Sequence, residues 1–294
     1  MNGSSPPAKI LLATDLSCRC DRALDRAALL AKQWGAHLII VHVLEEPEYS
    51  PTASREEDLP SWRRPPDRTA AAQARILRDL QIDFDDFSLR VEPGEPAKVV
   101  DEIARAEGCG LIVTGVARDE TLGRVFLGTT VNRLIHRVTA PVLIVKERPR
   151  PYREIVVATD LSPLSGHGLT TAAALFPDAA LTLFYAFETP SFYGDRTRFR
   201  DQARQVEEEA CRAFVAQTDL APDQRRRLTT LVEYGPPDVL IRTYMQDRDV
   251  NLVALGTHGR SGVLDVLIGS TAKLIADASP GDVLLVPARG VKGA

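Results

Sequence analysis

The chain has 294 residues, of which 44% are hydrophobic and 26% are charged, values close to those of ordinary globular proteins. This composition argues against disordered, collagen-like and mucin-like classes, and the length suggests two domains of roughly 150 residues each. Thirty-six basic and 40 acidic residues give a formal net charge of −4. The overall charge therefore gives no reason to expect nucleic acid or an anionic membrane as a partner.

Targeting, membrane and metal signals are weak. The apolar runs, such as 38–43, are much shorter than the roughly 18 residues of a membrane span, and residues 1–9 lack an apolar segment behind a basic start. We therefore expect a cytoplasmic protein. The four cysteines are too few for a disulfide framework, and Cys18 and Cys20 have no second pair at ligand spacing, so no metal site is expected.

The sequence contains an internal repeat. The residues Ala-Thr-Asp-Leu-Ser at 13–17 recur letter for letter at 158–162, and Gly115 and Gly128 correspond to Gly256 and Gly269. The chain is therefore interpreted as a tandem duplication of one unit. The charged, proline-containing segment 146–153 is the expected connector, which places the first domain at 1–147 and the second at 148–294.

Each unit alternates short β-branched runs with helical patterns, which predicts a mostly parallel sheet with helices on both faces. In chain order, the predicted strands of the first unit are 10–14, 38–43, 87–91, 111–114 and 142–145. Those of the second unit are 154–159, 180–187, 228–233, 251–255 and 283–286. The fold class is thus α/β, with two doubly wound domains that each have the strand order 3-2-1-4-5.

The predicted helices of the second unit start after Ser162, at Phe199, at Pro237 and at Gly269. Ser162 is a plausible N-cap. In the last helix, Leu274, Ile275 and Ala278 are predicted to share one apolar face.

The last strand of each unit is apolar and leaves one edge unpaired within its own unit, and such edges favour pairing. We expect 142–145 and 283–286 to pair with each other inside one chain. A homodimer formed through these terminal edge strands is the alternative.

Ligands of doubly wound sheets bind at the carboxyl ends of the strands where the strand order reverses. In the second unit Asp160 ends strand one, and Gly256 and Gly259 follow strand four, where glycine lets the backbone approach a phosphate closely. Gly269 and Ser270 begin a helix whose free amides favour an anion. Asp160 can accept a hydrogen bond from a ribose hydroxyl or an adenine amino group, or hold a metal that bridges phosphates. Together these residues suggest a nucleotide.

The glycines and aspartates also have simpler interpretations. Glycines after strands often serve only tight turns, and Asp15 and Asp160 could cap the helices that follow them.

The spacing Gly256-x2-Gly259-x9-Gly269-Ser270, with Ala158-Thr159-Asp160 on strand one, resembles the ATP-binding pattern of the universal stress protein family. Both units resemble that family over nearly their whole length, outside the loop 45–68. The resemblance implies the fold given above, ATP with Mg²⁺ as the cofactor and dimerisation through the last strand. The ATP-binding residues that it implies are Ala158, Thr159, Asp160, Ala186, Gly256, His258, Gly259, Arg260, Gly269, Ser270 and Thr271.

The first unit departs from this pattern. Arg118 stands at the position of Gly259, and Asp119 stands at the position of Arg260, so bulk and negative charge replace bare amides and a cation. A weak or empty site is expected there. Its residues would be Thr14, Asp15, Val43, Gly115, Arg118, Gly128, Thr129 and Thr130.

The sequence lacks a P-loop, a dinucleotide fingerprint and a nucleophile elbow. We therefore expect an ATP-binding stress or regulatory module without catalytic residues. Two alternatives remain open: a slow ATPase or nucleotidyl-transfer enzyme of the same fold, and a nucleotide-free interaction scaffold.

Overall fold

The computed structural model describes residues 5–16, 21–44, 67–79, 84–118, 125–126, 128–188, 196–257 and 268–288. In the first unit the elements are β1 (Lys9–Thr14), α1 (Asp21–Trp34), β2 (His37–Leu44), α2 (Arg68–Asp79), β3 (Phe87–Pro93), α3 (Pro96–Glu107), β4 (Leu111–Gly115), β5 (Ala117–Arg118), β6 (Val125–Phe126), α4 (Thr129–Arg137) and β7 (Val142–Val145). In the second unit they are β8 (Glu154–Thr159), α5 (Pro163–Leu175), β9 (Ala180–Phe187), α6 (Arg196–Gln217), α7 (Pro222–Arg227), β10 (Thr229–Tyr234), α8 (Pro237–Asp247), β11 (Leu252–Gly256), α9 (Ser270–Ala278) and β12 (Asp282–Val286). Within these ranges, every helix is too short or too polar to cross a bilayer.

One ten-stranded sheet runs through both units, in the order β10-β9-β8-β11-β12-β7-β4-β1-β2-β3. Within each unit the neighbouring strands are parallel and follow the order 3-2-1-4-5. The predicted α/β fold class is therefore confirmed. The two five-stranded sheets are nevertheless not separate, because they join edge to edge.

The join is an antiparallel pairing of β7 with β12, in which Leu143 lies opposite Leu284. The prediction that the two terminal strands pair within the chain is confirmed. Each of these strands has a hydrogen-bonded neighbour on both sides. Both edges are therefore occupied within the chain, and a homodimer of two chains stays a prediction.

The strands at the join are buried on both faces. All residues of β7 and β12 are buried, and such continuous apolar runs are typical of sheets covered by helices on both sides. Helices α1 and α5 pack on one face. Helices α3, α4, α8 and α9 pack on the other. The carboxyl ends of the strands are left uncovered by this packing in each unit.

The ends of two helices test the predictions closely. Ser162 caps α5, since its hydroxyl accepts a hydrogen bond from the amide of Ser165 at 3.2 Å, as expected. The predicted apolar face of α9 is wrong in part. Ile275 and Ala276 are buried, whereas Leu274 is 56% exposed. The buried face of α9 is thus shifted by about one residue along the helix from the predicted apolar face.

A buried polar cluster closes the junction between the units. The carboxylate of Asp282, which is fully buried, accepts hydrogen bonds from the amides of Lys146 and Glu147 at 2.8 and 3.1 Å. The hydroxyl of Tyr152 also donates to it. Arg26, 1% exposed, lies 3.1 Å from the same carboxylate and 4.1 Å from the centre of the Tyr152 ring. Burial and the neighbouring Asp282 raise the pKa of Tyr152 well above its usual value, so Tyr152 remains a donor.

Removing the carboxylate should be costly. We expect Asp282→Ala to lower the free energy of unfolding by about 3–5 kcal/mol, because it leaves Arg26 as a buried charge without its partner. Adding Arg26→Met should restore part of the loss. Asp249→Asn, which weakens the exposed ion pair with Arg150, is the control and should cost less than about 1 kcal/mol. Urea unfolding measures all three, and equal losses at the buried and exposed positions would contradict the proposed role of Asp282.

Lys146 gives the junction a dependence on pH. Its ammonium donates to the carbonyls of Ala276 and Ser279 at 2.6 and 2.9 Å. Burial lowers its pKa to about 8, although Asp277 and Asp282 oppose that shift. Because the pKa in the folded chain lies below the usual 10.5, the charged form is penalised by folding below pH 8. That penalty is relieved as the pH rises toward 10.5.

We therefore expect wild-type protein to gain stability relative to Lys146→Met between pH 8 and 10.5. The upper limit of the gain is about 3.5 kcal/mol, from about 1.4 kcal/mol per pKa unit over this interval. Urea unfolding of both proteins at pH 7.5 and 10 measures this difference, in which other titrating groups cancel. A difference that stays constant with pH would refute the assignment.

Candidate functional site

A cavity of about 440 Å³ lies in the second unit at the carboxyl ends of β8, β9 and β11. It is the position that the switch-point rule indicates, where the strand order reverses between β8 and β11. The predicted residues that line it are Ala158, Thr159, Asp160, Ala186, Gly256, Gly269, Ser270 and Thr271. Residues that are far apart in the sequence are thus brought to one place.

The first unit has a matching cavity of about 400 Å³ between β1, β2 and β4. The predicted residues that line it are Thr14, Asp15, Val43, Gly115, Gly128, Thr129 and Thr130. Cavity volume therefore does not distinguish the two units, and any difference in binding has to come from chemistry.

Part of the predicted site lies outside the described residues. This applies to His258, Gly259 and Arg260 in the second unit, to Asp119 in the first, and to the side chain of Arg118. The backbone of Arg118 lies in β5. The roles of these residues remain predictions.

The turn after strand one has the same strained backbone in both units. Leu161 and Leu16 have φ angles of 62° and 61°, in the left-handed region that costs a non-glycine residue about 1–2 kcal/mol. The amide of Leu161 donates to the hydroxyl of Thr159 at 2.9 Å, which helps to hold this turn. Strained backbone of this kind is concentrated at functional sites, and here it fixes the direction of the chain directly after Asp160.

Asp160 itself takes part in this turn. Its carboxylate accepts a hydrogen bond from the amide of Ser162 at 3.0 Å. Ser162 itself is the N-cap of α5, so this bond holds the turn that precedes the helix and is not a cap of its first-turn amides. A carboxylate accepts several hydrogen bonds, so this contact is compatible with a ligand at the same residue.

The start of α9 contributes backbone amides to the wall of the cavity. Its N-cap, Gly269, has no side chain to accept the hydrogen bonds of the first-turn amides, and its own amide donates to the carbonyl of Thr257 at 2.9 Å. Gly128 starts α4 in the same way, without a side-chain cap. Uncapped amides together with the helix dipole favour a phosphate or carboxylate.

Several lining residues lay outside the sequence prediction. Phe184, Ile241 and Leu255 give the second cavity apolar walls, and Tyr185 and Glu188 add polar groups from the end of β9. The residues of β9 could have been found from the pairing of β8 with β9, because its register places Tyr185 beside Thr159. The cavity combines apolar walls with polar groups, which suits a ligand with a flat apolar part and an anionic part.

The entrance to α3 carries a carboxylate that the second unit lacks. Glu95 caps this helix by accepting hydrogen bonds from the amides of Ala97 and Lys98 at 3.3 and 2.9 Å. In the second unit α8 follows Pro236, which makes no side-chain cap. Arg133 and Arg137 each have a guanidinium nitrogen 4.0 Å from this carboxylate, which offsets its charge.

Comparisons with known proteins agree with the internal duplication. The sequence model of the universal stress protein family matches this chain twice, at residues 7–146 and at residues 151–287. A universal stress protein of Mycolicibacterium smegmatis is 24% identical over 294 residues, which cover 95% of this chain and 97% of that protein. A universal stress protein of Thermus aquaticus is 31% identical over 138 residues, which cover 47% of this chain and 97% of that protein.

A solved structure shows the same fold over the whole chain. The crystal structure of a universal stress protein from Archaeoglobus fulgidus has a TM-score of 0.65 and 16% sequence identity, and the match covers 95% of this chain and 98% of that chain.

Proposed function

The chain belongs to the universal stress protein family, and on that premise we propose that it is a cytoplasmic ATP-binding regulatory module of the stress response. The domain 148–294 holds the nucleotide, and the domain 1–147 has a degenerate site. The observation that carries this proposal is the 440 Å³ cavity of the second unit, where Asp160, Gly256 and the uncapped start of α9 meet.

The residues around this cavity fit the parts of a nucleotide. The apolar walls at Phe184 and Leu255 suit a flat base, and Asp160 accepts a hydrogen bond from a ribose hydroxyl. The backbone amides of Ser270 and Thr271, at the start of α9, can donate hydrogen bonds to the phosphates. Mg²⁺ bound with ATP would supply positive charge that offsets the phosphates, beside the hydroxyls of Ser270 and Thr271 that line the cavity. The proposed site therefore binds and orients the nucleotide through backbone amides and hydroxyls.

The proposed difference in ATP affinity between the units rests on the loop that follows strand four of each unit. At the position of Gly259 the first unit has Arg118, and the segment Ala117–Arg118 is paired with Val125–Phe126 in a two-stranded hairpin.

Two other functions predict different behaviour. A slow ATPase or nucleotidyl-transfer enzyme would release phosphate or transfer nucleotide, and this turnover would depend on Asp160. A nucleotide-free scaffold would carry no small molecule through purification. Mass spectrometry of the molecules released from denatured protein, together with a phosphate-release assay, separates these functions from the proposed one.

Asp160→Ala should weaken ATP binding by roughly 5- to 150-fold, which corresponds to the roughly 1–3 kcal/mol of a hydrogen bond to a charged group. Asp15→Ala changes the equivalent residue of the first unit and is the matched control, with little expected effect. Calorimetric titration of nucleotide-stripped protein measures both. An equal effect of the two substitutions would contradict the assignment of ATP to the second unit.

Exchanging the loop residues should exchange the affinities. Gly259→Arg with Arg260→Asp makes the second loop resemble the first and should abolish most binding, since it adds bulk and removes a cation. Arg118→Gly with Asp119→Arg should give the first unit measurable affinity. The number of sites in each calorimetric titration is the readout, and two equal sites in the wild-type protein would rule out the proposed asymmetry.

A further inference from the structure

Three polar side chains form a linear chain of hydrogen bonds at the amino ends of β2 and β3. His37 begins β2, and its Nδ1 lies 2.6 Å from Oδ1 of Asp86. Its Nε2 lies 3.0 Å from the hydroxyl oxygen of Ser88, on β3. This group lies at the amino ends of the strands, whereas the first cavity lies at their carboxyl ends, so the two are separate.

The proton positions follow from the chemistry of the groups. An ionised carboxylate can only accept, so Nδ1 of His37 carries the proton that is donated to Asp86. Nε2 of the neutral imidazole then accepts the hydroxyl proton of Ser88. A serine hydroxyl, an imidazole and a carboxylate in this order form the arrangement that activates a serine as a nucleophile.

The second unit shows that the fold does not need this group. In the first unit Lys9 pairs with His37, and the equivalent pair in the second unit is Glu154 with Ala180. Ser88 corresponds to Thr229, which pairs with Thr182 as Ser88 pairs with Ile39. The same sheet edge therefore forms around an alanine where the first unit has an imidazole.

We propose that Ser88 is a nucleophilic serine that accepts acyl groups from small activated esters or thioesters. The hydroxyl oxygen of Ser88 attacks the carbonyl carbon while its proton passes to Nε2 of His37. The bond from the carbonyl carbon to the leaving oxygen or sulfur then breaks, and the leaving group takes that proton. Asp86 holds the imidazole in the required tautomer throughout.

The exposure of the group sets the class of substrate. The side chain of His37 is 32% exposed and that of Asp86 is 65% exposed, so the group is open to solvent. Because no wall among the described residues encloses the group, it would select by the reactivity of the acyl donor and not by binding a large substrate. Attack of water on the acyl-serine, with His37 taking the proton of that water, regenerates the hydroxyl and releases the carboxylic acid.

The test uses p-nitrophenyl acetate and the full-length chain. Peptide mass spectrometry should find acetylated Ser88, and its rate of formation should fall at least tenfold in His37→Gln, as expected for loss of a general base. Ser88→Ala should abolish acetylation at this position. Thr229→Ala changes the corresponding hydroxyl of the second unit and should leave acetylation of Ser88 unchanged.

Asp86→Asn is a second variant, and it should also slow acetylation of Ser88. Because the Asp86 side chain is exposed, this variant should unfold at the same temperature as the wild type. The proposal would be overturned if Ser88 were acetylated no faster than Thr229. It would also be overturned if His37→Gln and Asp86→Asn both kept the wild-type rate.

Discussion

The antiparallel pairing of β7 with β12 is the constraint on which the arrangement of the two units depends. It joins two parallel sheets through strands that are buried along their whole length, so its register decides which side chains meet in the core. Asp282 makes that register specific. A shift of β12 along β7 would move a buried carboxylate away from the amides of Lys146 and Glu147 and from Arg26, and an uncompensated buried charge is strongly destabilising.

The direction of this pairing also decides where the two cavities lie. All strands of one unit are parallel, and the join between the units is antiparallel. The strands of the two units therefore run in opposite directions, and their carboxyl ends lie on opposite sides of the sheet. Among the residues that the structure describes, each cavity is lined by those of its own unit. A ligand in one unit therefore has no contact with a ligand in the other, and any coupling between them has to pass through the shared central strands.

The sequence was sufficient for those features that depend on local pattern. Strands such as β7, β8 and β9 have the predicted bounds, because short apolar runs rich in β-branched or aromatic residues and bounded by turn residues favour strands. The repeat also located both cavities, since the ends of strands one and four carry Asp160 and Gly256 in the duplicated pattern.

Features that depend on contacts between distant residues were not predictable from the sequence. Whether Leu274 or Ala276 of α9 faces the sheet depends on how this short helix packs against α8. The charge on Asp282 is buried beside Arg26, which lies on the first helix of the other unit. The group of His37, Asp86 and Ser88 is formed by the parallel register of β2 and β3, which no spacing in the sequence indicates.

The buried ion pair at the junction exists once in the molecule, although the chain is a duplication. The repeat places Pro141 at the position of Asp282, and Thr171 at the position of Arg26. In a dimer of two identical chains, symmetry would force every polar group at the interface to occur twice, along with its desolvation cost. Fusion into one chain removes that requirement. One gene can therefore specify complementary rather than identical partners, and the two copies are free to diverge.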